Sequence, residues 1–452
     1  MGASAVDKKR QTKRVLRIIL ATSHLAKISP ALLALMIFLL VAIVFTGLLT
    51  LPAAAADRQA TPLHDAMFTA FSAVTVTGLV SVDTAEHWSF FGQAVILLGI
   101  QIGGLGIVTI ALLLSRAVTR SFGVQVRIFA QQGIGTNKLG EVRSLLRIVV
   151  VTTLVLELAL AVVLIPRFII VEQSWSQGTW HGLFYAISSF NNAGFVPNVG
   201  GLEAFDGDLW ILVPVMLGVF VGSFGFPVYL VLMMSRHHWR RWSLHTKLTL
   251  ATTTLFLFIG AIAWGAFEWA NQATIGGMTV WDKAFHSLFA SVMMRSGGFS
   301  LTDYGESTPV TLLMTDALMF VGGGSASTAG GIKVTTIAVL FLAIIAEAKG
   351  DKNISIFGRT IPQGILRVAI SVTFLGATLV LLATALLMFT TDAPLDRILF
   401  EVISAFATCG LSVGLSGELE PFGLYVLTGL MFAGRVGPIG LASALAIRRR
   451  NL

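Results

Sequence analysis

Charge is scarce in this chain. Aspartate, glutamate, lysine and arginine make up 12% of its 452 residues while 55% are hydrophobic. Mean hydropathy is +0.83, which exceeds what a soluble core needs and places the chain in the integral-membrane class. Cysteine is nearly missing too: Cys409 stands alone, so a disulfide within the chain is excluded. No metal cluster, catalytic dyad or phosphorylation motif is apparent, and no soluble domain of the chain's own to sense nucleotide is expected. No cleavable leader stands out either, because a long basic stretch leads into a full-length span. These deficits argue against an enzyme and against an organic cofactor.

What remains is hydrophobic sequence in two lengths. Crossing the hydrocarbon takes about 20 mostly apolar residues per helix. Eight runs qualify, near 28–50, 89–115, 144–170, 208–234, 247–270, 311–346, 365–390 and 421–447. Within each pair lies a shorter apolar piece followed by glycine, near 63–75, 180–190, 282–294 and 394–407. Too short to cross, these read as re-entrant half-helices.

Lysine and arginine gather at Lys8 to Arg14, at Arg116, Arg120, Arg127 and Arg143, at Arg236 to Trp242, and at Arg448 to Arg450. With eight spans all fall on one side, and the positive-inside bias makes both termini cytoplasmic. The opposite loops are acidic, with Glu172, Glu203, Asp206, Asp208, Asp303, Glu306, Glu418 and Glu420. The net charge of +8 is thus a topogenic, lipid-facing collar that needs no nucleic acid, although it could dock a cytoplasmic partner.

The half-helices superpose without a gap: "FTAFSAVTVTGL" (Phe68 to Leu79), "FYAISSFNNAGF" (Phe184 to Phe195), "LFASVMMRSGGF" (Leu288 to Phe299) and "FEVISAFATCGL" (Phe400 to Leu411). Their anchor glycines, Gly78, Gly194, Gly298 and Gly410, recur at intervals of about 110 residues, a period that sets the fold. The expected architecture is an all-α integral membrane protein of four pseudo-symmetric units around a central pore. Each unit is helix, re-entrant pore helix, filter loop and helix, giving eight transmembrane and four pore helices. Half-helix C-termini pointing at the centre favour a cation. Non-helical backbone at that depth is tolerated only where it lines a protein or water cavity, and its carbonyls can replace an ion's water shell. Close helix packing is the alternative use of such glycines.

The segments "TVTGLVSVDT", "QIGGLGI", "NNAGF", "RSGGF" and "GGGSASTAGGIKVTT" resemble the Trk/Ktr/HKT superfamily of cation-uptake proteins, and the bacterial KtrB branch in particular, over roughly residues 25–450. That resemblance implies K⁺ uptake down its electrochemical gradient across the bacterial cytoplasmic membrane, with Na⁺ dependence in some members. Four filter glycines go with K⁺ there, and a first-repeat serine with Na⁺. A Na⁺-preferring member stays open as an alternative. The filter residues carried over are Val76, Thr77 and Gly78; Asn192, Ala193 and Gly194; Ser296, Gly297 and Gly298; and Thr408, Cys409 and Gly410, most acting through main-chain oxygens. Small size explains Cys409. Arg295 is expected to turn behind the filter toward a carboxylate or the half-helix end. The resemblance also implies a homodimer on a cytoplasmic nucleotide-binding RCK ring (KtrA-like). Residues then divide into a basic N-terminus (1–24), repeat 1 (25–120), repeat 2 (121–242), repeat 3 (243–352) and repeat 4 (353–452).

One span is broken by its own residues. Between Phe320 and Thr336 stand Gly322, Gly323, Gly324, Gly330 and Gly331 with the hydroxyls of Ser325, Ser327 and Thr328; each glycine costs a helix about 1 kcal/mol against alanine. The matching segments Leu97 to Ile110 and Met216 to Leu230 have fewer breaks. A Walker A loop is excluded because Ile332 and Val334 flank Lys333. By resemblance residues 320–336 are the intramembrane gate, a static kink being the alternative. Arg435, mid-span, costs about 2.5–3.5 kcal/mol and should face the bundle interior; the resemblance implies a place at the pore under the filter, near that loop. Lys333 could join it or snorkel. Glu157, Asp316 and Glu401 could serve structural pairing or ion handling. His64, His181 and His286 read as interfacial caps. A membrane potential of roughly −150 mV supplies about 3.5 kcal/mol per monovalent cation, so uptake needs no reaction in the protein. The rivals are a secondary transporter of a small organic solute, whose broken helices usually come as inverted pairs, and a structural scaffold.

Overall fold

The computed structural model describes residues 30–106, 142–235, 238–325, 327–351 and 353–437. The N-terminal basic stretch, Arg116, Arg120, Arg127, the Arg143 side chain, Arg236 and the C-terminal arginines lie outside the described residues. The chain is mostly helical, and its strands among the described residues are the two-residue pair Ser355–Ile356 and Arg359–Thr360. In chain order the main helices are α1 (Pro30–Leu49), α2 (Leu63–Thr75), α3 (Phe90–Gly104), α4 (Val142–Glu172), α5 (Trp175–Phe190), α6 (Leu209–Gly222) and α7 (Phe226–Ser235). There follow α8 (Leu244–Glu268), α9 (Val280–Met293), α10 (Pro309–Met319), α11 (Val334–Lys349), α12 (Gln363–Met388), α13 (Leu395–Ala407) and α14 (Pro421–Val436).

Starts follow local chemistry. Ser89, Ser174, Ser243, Thr279 and Thr308 each accept an amide hydrogen from the first turn of the helix they precede. Pro309 sits at the head of α10, where its missing N–H costs nothing.

Length separates two kinds of long element. Within α4, and over α8 and α12, residues Val149–Glu172, Leu244–Glu268 and Gln363–Met388 are long and apolar enough to cross a membrane. They expose apolar side chains such as Leu158, Val162, Phe258, Ile262, Phe374 and Leu381, a belt suited to lipid tails. The partner spans differ from expectation. Helix α6 is bent by 92° from α7 at their junction; α3 ends at Gly104 and α14 at Val436, and the remainders of those two expected spans, 107–115 and 438–447, lie outside the described residues. The break expected chiefly in the third copy therefore recurs in the second, and the helices of the first and fourth copies end at matched places. Packing gives the reason: a Cβ on Gly103, Gly222 or Gly434 would strike the carbonyl oxygen of Val74, Phe190 or Phe406 at the end of a half-helix. There the second helix must come close to that end, and α6 bends into α7 just beyond Gly222.

Each half-helix packs on the long helix before it: α2 on α1, α5 on α4, α9 on α8 and α13 on α12. Each second helix reaches the next half-helix: α3 touches α5, α6 touches α9, α10 touches α13, and α14 returns to α2. That last contact closes the circuit. The core at its centre is lined by buried phenylalanines and small residues, among them Phe68, Phe71, Ala73, Phe400, Ala405 and Phe406.

Candidate ion pathway

Three half-helices stop in the same way. After α2 the Val76 amide donates to the Ala73 carbonyl and the Thr77 amide to that of Ser72. The pairs Asn192 to Ser189 with Ala193 to Ser188, and Thr408 to Ala405 with Cys409 to Ser404, repeat the pattern. This is a Schellman end, whose turning position usually holds glycine. Here it holds Val76 (φ 56°), Asn192 (φ 59°) and Thr408 (φ 48°), at about 1–2 kcal/mol each for an L-residue. Such strain persists only where surroundings enforce it. Part of the enforcement is a serine: Gly78 N donates to Ser72 Oγ at 3.0 Å, Gly410 N to Ser404 Oγ at 3.1 Å, and Ser188 Oγ donates to the Phe195 carbonyl at 2.9 Å. The serines hold one position in three of the aligned half-helices, and Val292 holds it in the fourth. That recurrence is legible in the sequence, six residues before each of three anchor glycines.

The four anchor glycines meet. A Cβ on Gly78 would collide with the Ala193 carbonyl oxygen, and one on Gly194 would lie 2.9 Å from Gly298 Cα and 3.2 Å from the Gly297 oxygen. On Gly298 it would lie 2.6 Å from the Cys409 oxygen, and on Gly410 it would collide with the Thr77 oxygen. The contacts run 78 to 194 to 298 to 410 and back to 78. Thr77, Ala193, Gly297 and Cys409 thus bring four carbonyls into one ring, with the C-terminal ends of α2, α5, α9 and α13 behind them. Four such ends contribute about −0.5 charge apiece. Cys409, fully buried, directs its thiol at the Met294 carbonyl, 3.3 Å away, which ties the fourth loop to the end of α9. Small size alone does not account for it.

Against the ends of the half-helices lies the broken stretch. A parallel bridge between Val321 and Ile332 closes its neck. Gly324 N donates to the Ser223 carbonyl at 2.8 Å, and Thr328 Oγ1 donates to the Gly222 carbonyl at 2.9 Å. The Asn192 amide nitrogen faces the Phe190 and Val219 carbonyls and the Thr328 hydroxyl, each at 3.2 Å. On the other side Gly330 presses on the Thr408 side chain, leaving no room for a Cβ. Arg435 Nη1 donates to the Thr328 carbonyl, and its Nη2 donates to the Gly103 carbonyl at 2.7 Å. The loop of the third copy therefore touches the second and fourth, and Arg435 fastens it to the first. Lys333 Nζ turns back to the Ala329 carbonyl at 2.8 Å instead of snorkelling. Gly322, Gly323, Gly331, Ser325 and Ser327 lie in the same fold-back, where Ser327 Oγ donates to the Gly324 carbonyl at 2.7 Å.

Arg295 needs a correction. It is 3% exposed and directs Nη1 to the Thr253 carbonyl on α8 at 3.0 Å and Nη2 to the Thr253 hydroxyl at 3.4 Å, so its partner is Thr253 and not the expected carboxylate or half-helix end. A carbonyl that already serves a helix keeps a free lone pair and costs less to bury than a carboxylate. Glu401 is a clasp. It accepts from Ser412 Oγ (2.8 Å), Val413 N (3.3 Å), Ser416 N (3.1 Å) and Ser416 Oγ, pinning the chain that leaves the fourth loop. Replacing it with leucine strands four donors; a stability loss of about 3 kcal/mol is expected, read as a lower thermal midpoint in detergent. Glu268, overlooked in the sequence, does similar work by accepting from Thr274 Oγ1 at 2.7 Å and Thr308 N at 2.9 Å. His64, His181 and His286 face Asp65, Glu172 and Asp206 at 3.3, 2.5 and 3.3 Å; no group among the described residues could hold a metal ion through histidine, cysteine or carboxylate.

A family profile described as TrkH, cation transport protein, matches residues 20–449. The chain is 37% identical over 382 residues to the Ktr system potassium uptake protein B of Bacillus subtilis, covering 84% of this chain and 85% of that one. It is 34% identical over 430 residues to the potassium/sodium uptake protein NtpJ of Enterococcus hirae, covering 93% and 94%. Its fold is like that of the potassium transporter TrkH from Vibrio parahaemolyticus, with a TM-score of 0.72 at 18% identity over 91% of this chain and 85% of that one. Apolar helices, a ring of converging glycine turns and these matches lead to one assignment: the chain belongs to the TrkH family of cation transport proteins.

Proposed function

We propose that this protein admits K⁺ through the ring formed at Gly78, Gly194, Gly298 and Gly410, with carbonyl oxygens standing in for the ion's hydration shell. The observation that carries the reading is the closed circuit of contacts among those glycines. Four half-helix ends aimed at one point favour a cation over an anion. Four glycines, with no serine in the first position, support K⁺ as the main ion. The name of the Enterococcus relative, a potassium/sodium uptake protein, supports Na⁺ as a second permeant or modulatory ion. Residues 320–336 act as the gate, held shut by Arg435. The four repeats, eight spans and cytoplasmic termini given above are the arrangement this function requires. Two copies seated on a cytoplasmic RCK ring complete it, and the "Ktr system" in the Bacillus relative's name is in keeping with a multi-part assembly.

Liposomes carrying the purified protein test the reading. Uptake of ⁸⁶Rb⁺ should be displaced by external K⁺ at concentrations at which Na⁺ displaces little, and adding the regulatory ring should raise the rate. Rb⁺ uptake indifferent to external K⁺ would refute it.

A further inference from the structure

The half-helix ends are not equally supported from behind. The residue three places before the anchor glycine is Thr75, Asn191, Arg295 or Ala407 in the four copies. In two copies this side chain anchors to the long helix of its own copy: Arg295 to Thr253 on α8, and Asn191 to Glu157 on α4. The second anchor is a three-residue network. Asn191 Nδ2 donates to Glu157 Oε1 at 2.7 Å and to the Ile187 carbonyl at 2.9 Å, while Gln101 Nε2 donates to Glu157 Oε2 at 3.1 Å. Glu157 is 6% exposed, and no lysine, arginine or histidine forms an ion pair with it among the described residues. A Cβ on Gly104 would overlap the Asn191 amide, so that side chain is boxed in on its other face.

The place of the network gives it a role. Asn191 directly precedes Asn192, the strained residue whose amide faces Thr328 of the broken loop. The next carbonyl, that of Ala193, is the one pressed against Gly78. Gln101 lies two residues before Gly103, whose carbonyl takes the Arg435 guanidinium. One buried carboxyl group thus joins the first copy's second helix, the second copy's long helix and the second loop.

We propose that Glu157 is a positioning residue for the second filter loop, acting through Asn191 to hold the Ala193 carbonyl in the ring and so to set discrimination between K⁺ and Na⁺. This rests on the filter reading above. A carboxyl group serves two amide donors at once, one through each oxygen; glutamine offers one oxygen and adds two N–H groups, so either Asn191 or Gln101 loses its acceptor. The released Asn191 lets the loop tilt, and a looser ring tolerates the smaller ion. Because Gln101 Oε1 already lies 3.5 Å from Asn191 Nδ2, a carboxyl group moved to position 101 can take over the anchor.

The test measures ⁸⁶Rb⁺ and ²²Na⁺ uptake into liposomes for wild type, Glu157→Gln, Asn191→Ala, and the double variant Glu157→Gln with Gln101→Glu, each at matched protein content. Gly194→Ser serves as a direct probe of the filter. Glu157→Gln and Asn191→Ala should lower Rb⁺ over Na⁺ discrimination about tenfold, with total cation flux retained, and the double variant should recover most of it. Wild-type discrimination in either single variant would overturn the proposal, as would lost flux at unchanged discrimination, which marks a structural role alone. If Gly194→Ser changes discrimination while Glu157→Gln does not, only the positioning role falls. If Gly194→Ser is silent as well, the filter reading falls with it.

Discussion

Serine in place of Gly410 should cut K⁺ uptake by at least about tenfold. At φ 94° the position lies where side chains with a Cβ are strained, and that Cβ would run into the Thr77 carbonyl oxygen of the first loop. Strain of about 1–2 kcal/mol comes on top of displacing a ring carbonyl, and each 1.4 kcal/mol is a factor of ten. Gly78→Ser should behave alike, because Gly78 has the same φ of 94° and meets the Ala193 carbonyl. Gly207 supplies the control. Its φ is 82°, yet nothing lies within 4 Å of a Cβ placed there. Gly207→Ser therefore carries the backbone strain without touching the ring, and uptake should stay near wild type. Growth of a K⁺-uptake-deficient bacterium at low K⁺ reads all three. Equal growth of the Gly410 and Gly207 variants would mean that the ring does not select the ion.

Arg435→Ala should raise the resting flux by about tenfold or more. The guanidinium donates to the Thr328 carbonyl in the broken stretch and to the Gly103 carbonyl on α3. Hydrogen bonds from a charged donor are worth about 1.5–3 kcal/mol. Losing both frees a glycine-rich segment whose alternative conformations differ little in energy, and removes a positive charge from beside the proposed cation path. Arg435→Lys should fall between the two, since an ammonium carries the charge but cannot fork to one carbonyl in the broken stretch and another on α3. Rb⁺ efflux from liposomes without any cytoplasmic partner measures this, and an unchanged or lower resting flux would count against the gate.

The sequence carried the plan of the molecule better than its joints. Anchor glycines are legible because backbone at that depth has few alternatives. The half-helices start and end within a few residues of their expected places because length and a terminal turn define them. The bend between α6 and α7 was harder to see. Gly222 and Gly225 read as ordinary small residues of a span, and the carbonyl of Phe190 that forces the close approach lies on another helix. Ser72, Ser188 and Ser404 stood aligned but silent, since their donors and acceptors exist only once the turn has formed. Long-range partners leave no local trace at all. Nothing near Arg295 in sequence names Thr253, and nothing near Glu157 names Gln101. Desolvation decides such pairings in three dimensions, so composition says only that a partner must exist.

Crystals grown or soaked with Tl⁺ or Rb⁺ test the central claim most directly, through the anomalous scattering of the ion itself. The account predicts a peak on the axis of the ring, within coordination distance of main-chain oxygens contributed by all four glycine turns. Strong peaks elsewhere in the protein, with none between Thr77, Ala193, Gly297 and Cys409, would contradict it.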